Sequence, residues 1–331
     1  MKALTCRVLK SLADGEFHSG QTLGCALGMS RGSVWHAMRE LDAAGLEIYR
    51  VRGRGYRLPQ PLSLLDRVEV ERHLGRHAAR FTLEIADSVG STNTLLVRRA
   101  EIGAPSATVI AAEWQSGGRG RQGRAWHAGI GGALTFSLLW RFAQGASALA
   151  GLSLAVGVAL ARAIEKLGVA DAGLKWPNDV LWRGQKLAGI LIETQGDALG
   201  PSLAVIGVGV NVRLSDAVRS RIDQEVTDLE SACGRTLDRN EVLALLLVEL
   251  STMLDTFTRE GFAPLRGEWQ RRHAHQDRRV TLILPDAQRE SGMARGVAED
   301  GALLVETRAG MRRYHSGEIS LRSTRPVKGD E

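Results

Sequence analysis

The stretch GGRGRQGRAW, residues 117–126, sets Gly118, Gly120 and Gly123 at the spacing of a dinucleotide-binding fingerprint. That fingerprint needs a preceding strand, a helix opening at the loop, and an acidic residue about 20 positions on that takes a ribose hydroxyl. Only the strand is supplied. Val109–Ala112 reads as one, but the loop runs into HAGIGGALTFSLLW (127–140), where Gly129, Gly131 and Gly132 precede a second strand-like run. No Asp or Glu occurs between Trp114 and Ile164. A Rossmann domain is therefore set aside, and so is a Walker A loop, since no Gly-Lys-Ser/Thr follows at the required spacing. What remains is Arg119, Arg121 and Arg124 among glycines, a combination of guanidinium forks and backbone N–H groups suited to phosphate or carboxylate oxygens. Apolar only at Trp114 and Trp126, the loop is expected to be mobile when empty and to fold over an anionic ligand. The alternative is a solvated basic loop or a second nucleic-acid contact.

Two later stretches carry comparable signals. In LKWPNDVLWRGQKLAGILIE (174–193), Pro177 blocks a helix, so Lys175 and Asp179 project from an extended corner. Lys186 then opens an apolar strand in which Ala188 and Gly189 leave room for a ligand; the alternative is a surface lysine opening an ordinary core strand. In GVGVNV (207–212), Gly207 and Gly209 signal close packing or ligand contact, with Asn211 as a polar tip. Strands are predicted near 81–86, 107–113, 133–140, 187–193 and 203–212, with helices over Thr92–Glu101, Leu149–Leu167 and Arg239–Thr258. This order predicts a multidomain α+β chain whose centre is an α/β domain with a mixed sheet. From Arg278 onward, short strands broken by Asp-Gly and Gly turns predict a small β-barrel.

The first 60 residues read as three helices and a hairpin. LTCRVLKSLAD (4–14) places Leu4, Val8 and Leu12 on one face; Ser19 caps a second helix with Leu23, Ala26 and Leu27 inward; Gly28 permits a left-handed turn. Ser30 caps a third helix, which buries Val34, Met38 and Leu41 and turns Arg31, Ser33, Trp35, His36 and Arg39 outward. The wing that follows runs from Ile48 to Val51, turns through Arg52, Gly53, Arg54 and Gly55, and returns from Tyr56 to Leu58, with Arg50 and Arg57 also on it. A helix-turn-helix with a basic hairpin points to DNA, with Ser30, Arg31, Ser33, Trp35, His36, Arg39, Arg52 and Arg54 as the contacting set; the alternative is a small helical domain with solvated charges. LPQPLSLLD (58–66) reads as a linker or a domain boundary. The division expected is 1–60, 64–272 and 277–325.

Composition agrees with a polyanionic partner: net charge is +6, and residues 1–60 hold nine Lys or Arg against five Asp or Glu. Cys6, Cys25 and Cys233 lack disulfide or zinc spacing, so a reduced cytoplasmic setting is expected. No signal-peptide core is read at the start, because Arg7, Lys10 and Asp14 interrupt it. The apolar run Ala146–Ala161 is read as a buried core helix, and no membrane contact is expected.

GSTN (90–93), QSGGRGRQGRAW (115–126), KWPNDV (175–180), KLAGILIE (186–193) and GVGVNV closely resemble, in order, the successive motifs of biotin protein ligases. GEISLR (317–322) resembles their C-terminal domain. LADGEFHSGQTLGCALGMSRGSVWHAMREL (12–41) with GRGYRL (53–58) resembles the DNA-binding domain of the bifunctional ligase and biotin operon repressor subgroup. The resemblance implies an N-terminal winged helix-turn-helix, a central catalytic domain resembling the class II aminoacyl-tRNA synthetase and biotin protein ligase fold, and a small Src-homology-3-like β-barrel.

It also implies a two-step reaction. Biotin and MgATP give biotinyl-5′-AMP and pyrophosphate, and a lysine of the biotin carboxyl carrier protein of acetyl-CoA carboxylase then takes the biotinyl group. By motif position Ser91, Thr92, Asn93, Gln115, Gly118, Arg119, Gly120, Arg121, Trp126, Lys186 and Gly189 line the biotin and adenylate site. Lys175, Asn178 and Asn211 serve ATP, and Asp179 serves catalysis by placing the acceptor lysine or Mg²⁺. The adenylate is also the expected corepressor, favouring a homodimer on operator DNA. Gln122 departs from the pattern, standing where a basic residue is frequent. Alternatives are a lipoate-type ligase, a sensor-only repressor, and a ligase whose N-terminal domain no longer binds an operator.

Overall fold

The computed structural model describes residues 1–283, 288–315 and 320–323. The chain forms α1 (Ala3–Leu12), α2 (Gly20–Leu27), α3 (Arg31–Ala43), β1 (Tyr49–Val51), β2 (Gly55–Arg57), α4 (Arg67–Leu74), β3 (Thr82–Ala86), α5 (Thr92–Glu101), β4 (Thr108–Ala112), β5 (Ala133–Phe142) and α6 (Leu152–Lys166). It continues with β6 (Gly173–Lys175), β7 (Asp179–Trp182), β8 (Gln185–Gly196), β9 (Ser202–Asn211), α7 (Asp216–Arg219), α8 (Leu229–Cys233), α9 (Arg239–Glu260) and α10 (Ala263–Arg271). Last come β10 (Arg279–Ile283), β11 (Arg289–Val297), β12 (Leu303–Thr307), β13 (Gly310–Tyr314) and β14 (Ser320–Ser323). Two compact units result, Met1–Trp140 with Ala204–Leu245, and Arg141–Leu203 with Leu246–Glu331.

In the first unit, local signals set the three N-terminal helices. Ser19 Oγ accepts the Thr22 N–H at 2.9 Å, Ser30 Oγ accepts the Ser33 N–H at 3.1 Å, and Gly28 is left-handed at φ +65°. Val8, Leu9 and Leu12 of α1, Leu23 of α2, and Val34, Ala37, Met38 and Leu41 of α3 close a core over Ile48 and Leu58. Ala26, expected inward, is exposed, and Leu4 is half-buried. α2 packs instead through Leu23 and Gly24; a Cβ on Gly24 would lie 2.7 Å from the Met29 carbonyl oxygen, and two residues further along the helix faces the other way.

The same core continues past the winged helix. Leu62 and Ile130 belong to it, with Trp114 packed alongside. Leu62 donates its N–H to Ala13 at 2.8 Å, and its side chain fills the space a Cβ on Gly131 would take, 1.7 Å from a Leu62 methyl. Within the stretch read as a linker or boundary, Leu62 is thus packed. Beyond it β3 pairs parallel to β4 and β4 antiparallel to β5, in the order β3-β4-β5-β9. Every residue of β4 is buried, which accounts for its unbroken apolar run.

In the second unit β6, β7 and β8 form antiparallel neighbours. The segment Ala146–Lys166 is long and apolar enough by composition to cross a bilayer. Its backbone breaks at Gly151, φ +79°, where a Cβ would meet the Phe262 ring at 2.7 Å. The α-helix that follows has 15 residues, about 22 Å, against roughly 30 Å of hydrocarbon. Leu154, Val158 and Ile164 are among its buried residues, as a core helix requires. β10 to β14 form an antiparallel sheet in the order β13-β12-β11-β10-β14.

Candidate functional site

Within the first unit, two motifs distant in sequence lie side by side. Ser91 caps α5, its Oγ accepting from the Thr94 N–H at 3.5 Å, and Ser91, Thr92 and Asn93 are all buried. Gly117 donates its N–H to the Gly90 carbonyl at 2.8 Å, and Thr92 donates its N–H to Gln115 Oε1 at 2.7 Å. From β5, Ser137 Oγ lies 2.7 Å from Thr92 Oγ1 and 2.6 Å from Asn93 Oδ1. The single Ser137 hydroxyl proton thus has two acceptors within reach, Thr92 Oγ1 and Asn93 Oδ1. The start of α5 is thereby fixed against the sheet.

β9 supplies the floor. Gly207 and Gly209 point to the same face, as alternate strand positions do. A Cβ on Gly207 would come 2.1 Å from Asn93 Oδ1, and one on Gly209 would come 2.4 Å from Trp126 Cε2. These glycines admit side chains of the site itself, so close packing accounts for them. Trp126 in turn anchors the arginine loop, which closes as a hairpin: Trp126 donates its N–H to Gly118 at 2.9 Å and Gly120 donates to Arg124 at 2.7 Å. Its tip turns through Gln122 at φ +55° and Gly123 at φ +72°. Along this path Arg119 and Arg124 are exposed and Arg121 is half-buried. Asn211, at the end of β9, is buried and donates from Nδ2 to the Thr227 carbonyl at 3.0 Å.

The second unit carries the other candidate residues. Lys175 stands opposite Asp179 in the β6–β7 register, and Asp179 opposite Gly189 in the β7–β8 register, so the three form a row across adjacent strands. A register shift between Val180 and Leu181 brings the next strand's lysine back toward this row, and Lys186 Nζ lies 2.7 Å from Asp179 Oδ1. Both side chains are largely buried, 15% and 13% exposed. Asn178 donates from Nδ2 to the Ile190 carbonyl at 2.8 Å and accepts the Ile190 N–H on its own carbonyl at 2.9 Å, locking the corner that Pro177 begins. Trp176 is buried, its indole N–H donating to the Gly301 carbonyl at 3.0 Å.

The winged helix presents a cleft of about 700 Å³ lined by Gln21, Arg31, Trp35, Arg50, Arg52 and Tyr56, among others. The wing pairs with the chain at His18, whose N–H and carbonyl both bond Tyr56 at 2.9 Å. Its arginines are differently employed. Arg50 is ion-paired with Asp42, while Arg54 and Arg57 stack over the Phe17 ring at 4.1 and 4.8 Å. Arg52 is exposed at the turn. The four arginines that the sequence places on the hairpin thus differ in their contacts.

Family models match the chain in three places: an HTH domain over residues 7–57, the biotin/lipoate A/B protein ligase family over 85–211, and the biotin protein ligase C-terminal domain over 275–322. The bifunctional ligase/repressor BirA of Salmonella typhimurium is 38% identical over 317 residues, covering 96% of this chain and 97% of that protein. The chain belongs to the bifunctional biotin protein ligase and repressor family. The Escherichia coli BirA is 37% identical over 318 residues, covering 96% of this chain and 97% of that protein. Among solved structures, the biotin protein ligase of Aquifex aeolicus in complex with biotin and ATP aligns at a TM-score of 0.63 and 29% identity, covering 73% of this chain and 99% of that one.

In this ligase chain the described residues add three side chains to those read from motifs. Ser137, Glu113 and Arg239 support the α5 start, the strand leading to the arginine loop, and the segment before α4. Ser137 sits in an apolar strand run, where its single hydroxyl gives no local pattern to read. In the GEISLR stretch, residues 317–319 lie outside the described residues, while 320–322 lie on β14. Among the described residues no cluster of three His, Cys, Asp or Glu side chains could hold a metal.

Proposed function

We propose that the chain is an ATP-dependent biotin protein ligase that also acts as a biotin-responsive repressor. The observation that carries the catalytic half is the joining of the GSTN and arginine-loop motifs through Thr92 and Gln115, which makes one wall ending in Arg119 and Arg121. In the first step a biotin carboxylate oxygen attacks the α-phosphorus of ATP and the bond to pyrophosphate breaks. Carboxylate and triphosphate repel, so Arg119, Arg121 and Lys186 neutralise the charge, align the groups and stabilise what develops on phosphorus. Ser91, Thr92, Asn93, Gln115, Gly118, Gly120, Trp126 and Gly189 shape the biotin and adenylate site. Lys175, Asn178 and Asn211 serve the nucleotide.

Mg²⁺ arrives with the triphosphate. Asp179 would hold that ion or place the acceptor lysine, and the ion would supply further charge neutralisation. In the second step the acceptor lysine's amine attacks the acyl carbon of the mixed anhydride, AMP leaves, and an amide bond forms. The acceptor is the biotin carboxyl carrier protein of acetyl-CoA carboxylase. Unconsumed biotinyl-5′-AMP favours a homodimer, whose two winged helices take two half-sites of a biotin operator.

The division into 1–60, 64–272 and 277–325, the likeness of the central domain to class II synthetases, the Src-homology-3-like form of the C-terminal sheet and a cytoplasmic setting complete this reading. ATP–pyrophosphate exchange tests it, run with biotin, lipoate or no acid. Exchange dependent on biotin is the expected result. Exchange with lipoate alone would move the chain to the lipoate branch, and none with either acid would leave a sensor-only repressor.

A further inference from the structure

On the outer face of α3, Arg31, Trp35 and Arg39 recur at every fourth residue and form one stripe. Trp35 is 46% exposed, an unusual position for so large an apolar surface, and no core packing accounts for it. The Arg39 guanidinium lies over its indole at 5.0 Å from the ring centroid, and the His36 ring meets the same indole edge-on at 5.0 Å. Arg31 and Trp35 also line the cleft toward the wing, with Arg52 on its other side, and none of the cleft's described lining residues is acidic.

We infer that Arg39, held by Trp35, reads a guanine in each half-site of the operator, with the Trp35 edge against a neighbouring thymine methyl. The inference rests on the DNA-binding half of the proposed function and deepens it. A helix-turn-helix lays this face of its second helix in the major groove. There an arginine makes a bidentate contact to guanine O6 and N7, while apolar groups meet the thymine methyl. An unsupported arginine would lose side-chain entropy on adopting that geometry; stacking on an indole restricts it beforehand. Arg31 and Arg52, flanking the stripe, are placed to hold phosphates, which sets position without reading sequence. Trp35 is a positioning residue, and Arg39 is the residue that discriminates.

The test is selection from a pool of randomised duplex DNA by the full chain, supplied with biotin and MgATP, followed by titration of the selected duplex and its single-base variants. Wild type is expected to enrich a two-fold-related sequence with one required guanine per half-site. Arg39→Lys keeps the charge, so the salt dependence of binding stays, but preference for that guanine falls at least about tenfold. Trp35→Ala loses the same preference, and Trp35→Phe, which keeps an aromatic face, restores most of it; unchanged melting temperatures separate this from misfolding. An Arg39→Lys chain that enriches the same sequence with undiminished guanine preference overturns the inference and leaves DNA binding intact. A wild-type chain that enriches nothing overturns both.

Discussion

The Arg239 guanidinium holds both carboxylate oxygens of Glu113, at 2.7 and 2.8 Å, in a buried pair whose side chains are 2% and 7% exposed. Both side chains make further hydrogen bonds. Arg239 donates to the carbonyls of Ser63 and Ala133, and Glu113 accepts N–H groups from Leu65 and Gly131. One pair thus joins the segment after the winged helix to the strand end that leads into the arginine loop.

Glu113→Gln should destabilise the chain by about 3–5 kcal/mol, because the buried guanidinium is left without its countercharge. Urea unfolding of both proteins measures this. A loss under about 1 kcal/mol would mean that water or another group takes over the charge.

Gly209→Ala should speed release of biotinyl-5′-AMP by about tenfold or more, since its methyl would displace the Trp126 indole that anchors the loop. Gly123→Ala is the contrast. There nothing lies within 4 Å of the new Cβ, and only the left-handed backbone, φ +72°, resists it, at about 1–2 kcal/mol. Adenylate release from the two variants, compared by rapid dilution, would expose an error if Gly209→Ala released no faster than wild type.

Lys186→Met should lower biotin-dependent pyrophosphate exchange by about 10²–10³-fold, the scale for removing one preorganised charge from a developing oxyanion. Lys186→Arg should recover little, because a guanidinium fork does not replace a compact ammonium 2.7 Å from Asp179. Exchange near the wild-type rate in Lys186→Met would remove Lys186 from the mechanism.

His273 and His275 introduce an acid sensitivity. Burial pushes both imidazoles from 6.5 down to about 4, and His275 is pushed further by neighbouring His273, Lys175 and Arg278. The folded chain holds them neutral, while the unfolded chain protonates them below about pH 6.5. Their contribution is therefore fully present above pH 6.5 and is lost as pH falls toward 4. Stability should drop by at least about 2 kcal/mol between pH 7 and pH 5 from this source. His275→Phe should flatten that drop in urea titrations; an unchanged slope would show that the histidines are already solvated when folded.

Much of this was written locally. The caps at Ser19, Ser30 and Ser91, the left-handed Gly28, and the bounds Thr92–Glu101 of α5 follow from hydrogen bonds and backbone preferences that span a few residues. So do the unbroken β4, the clustering of Arg119, Arg121 and Arg124, and the corner at Pro177. The short β6 and β7 escaped notice because three or four residues carry too little alternation to stand out.

What the sequence determined by itself was thus the type of each long element and the side chains that each motif brings. Tertiary structure alone decided which of them meet: Ser137 with Asn93 across 44 residues, Glu113 with Arg239 across 126, Trp126 over Gly209, and Leu62 packed on Gly131. It also decided that Arg50, Arg54 and Arg57 are engaged by Asp42 and Phe17. The physical reason is common to all of these. Burial and charge pairing act between surfaces that only the folded chain brings together, and they leave no periodic trace in the order of residues.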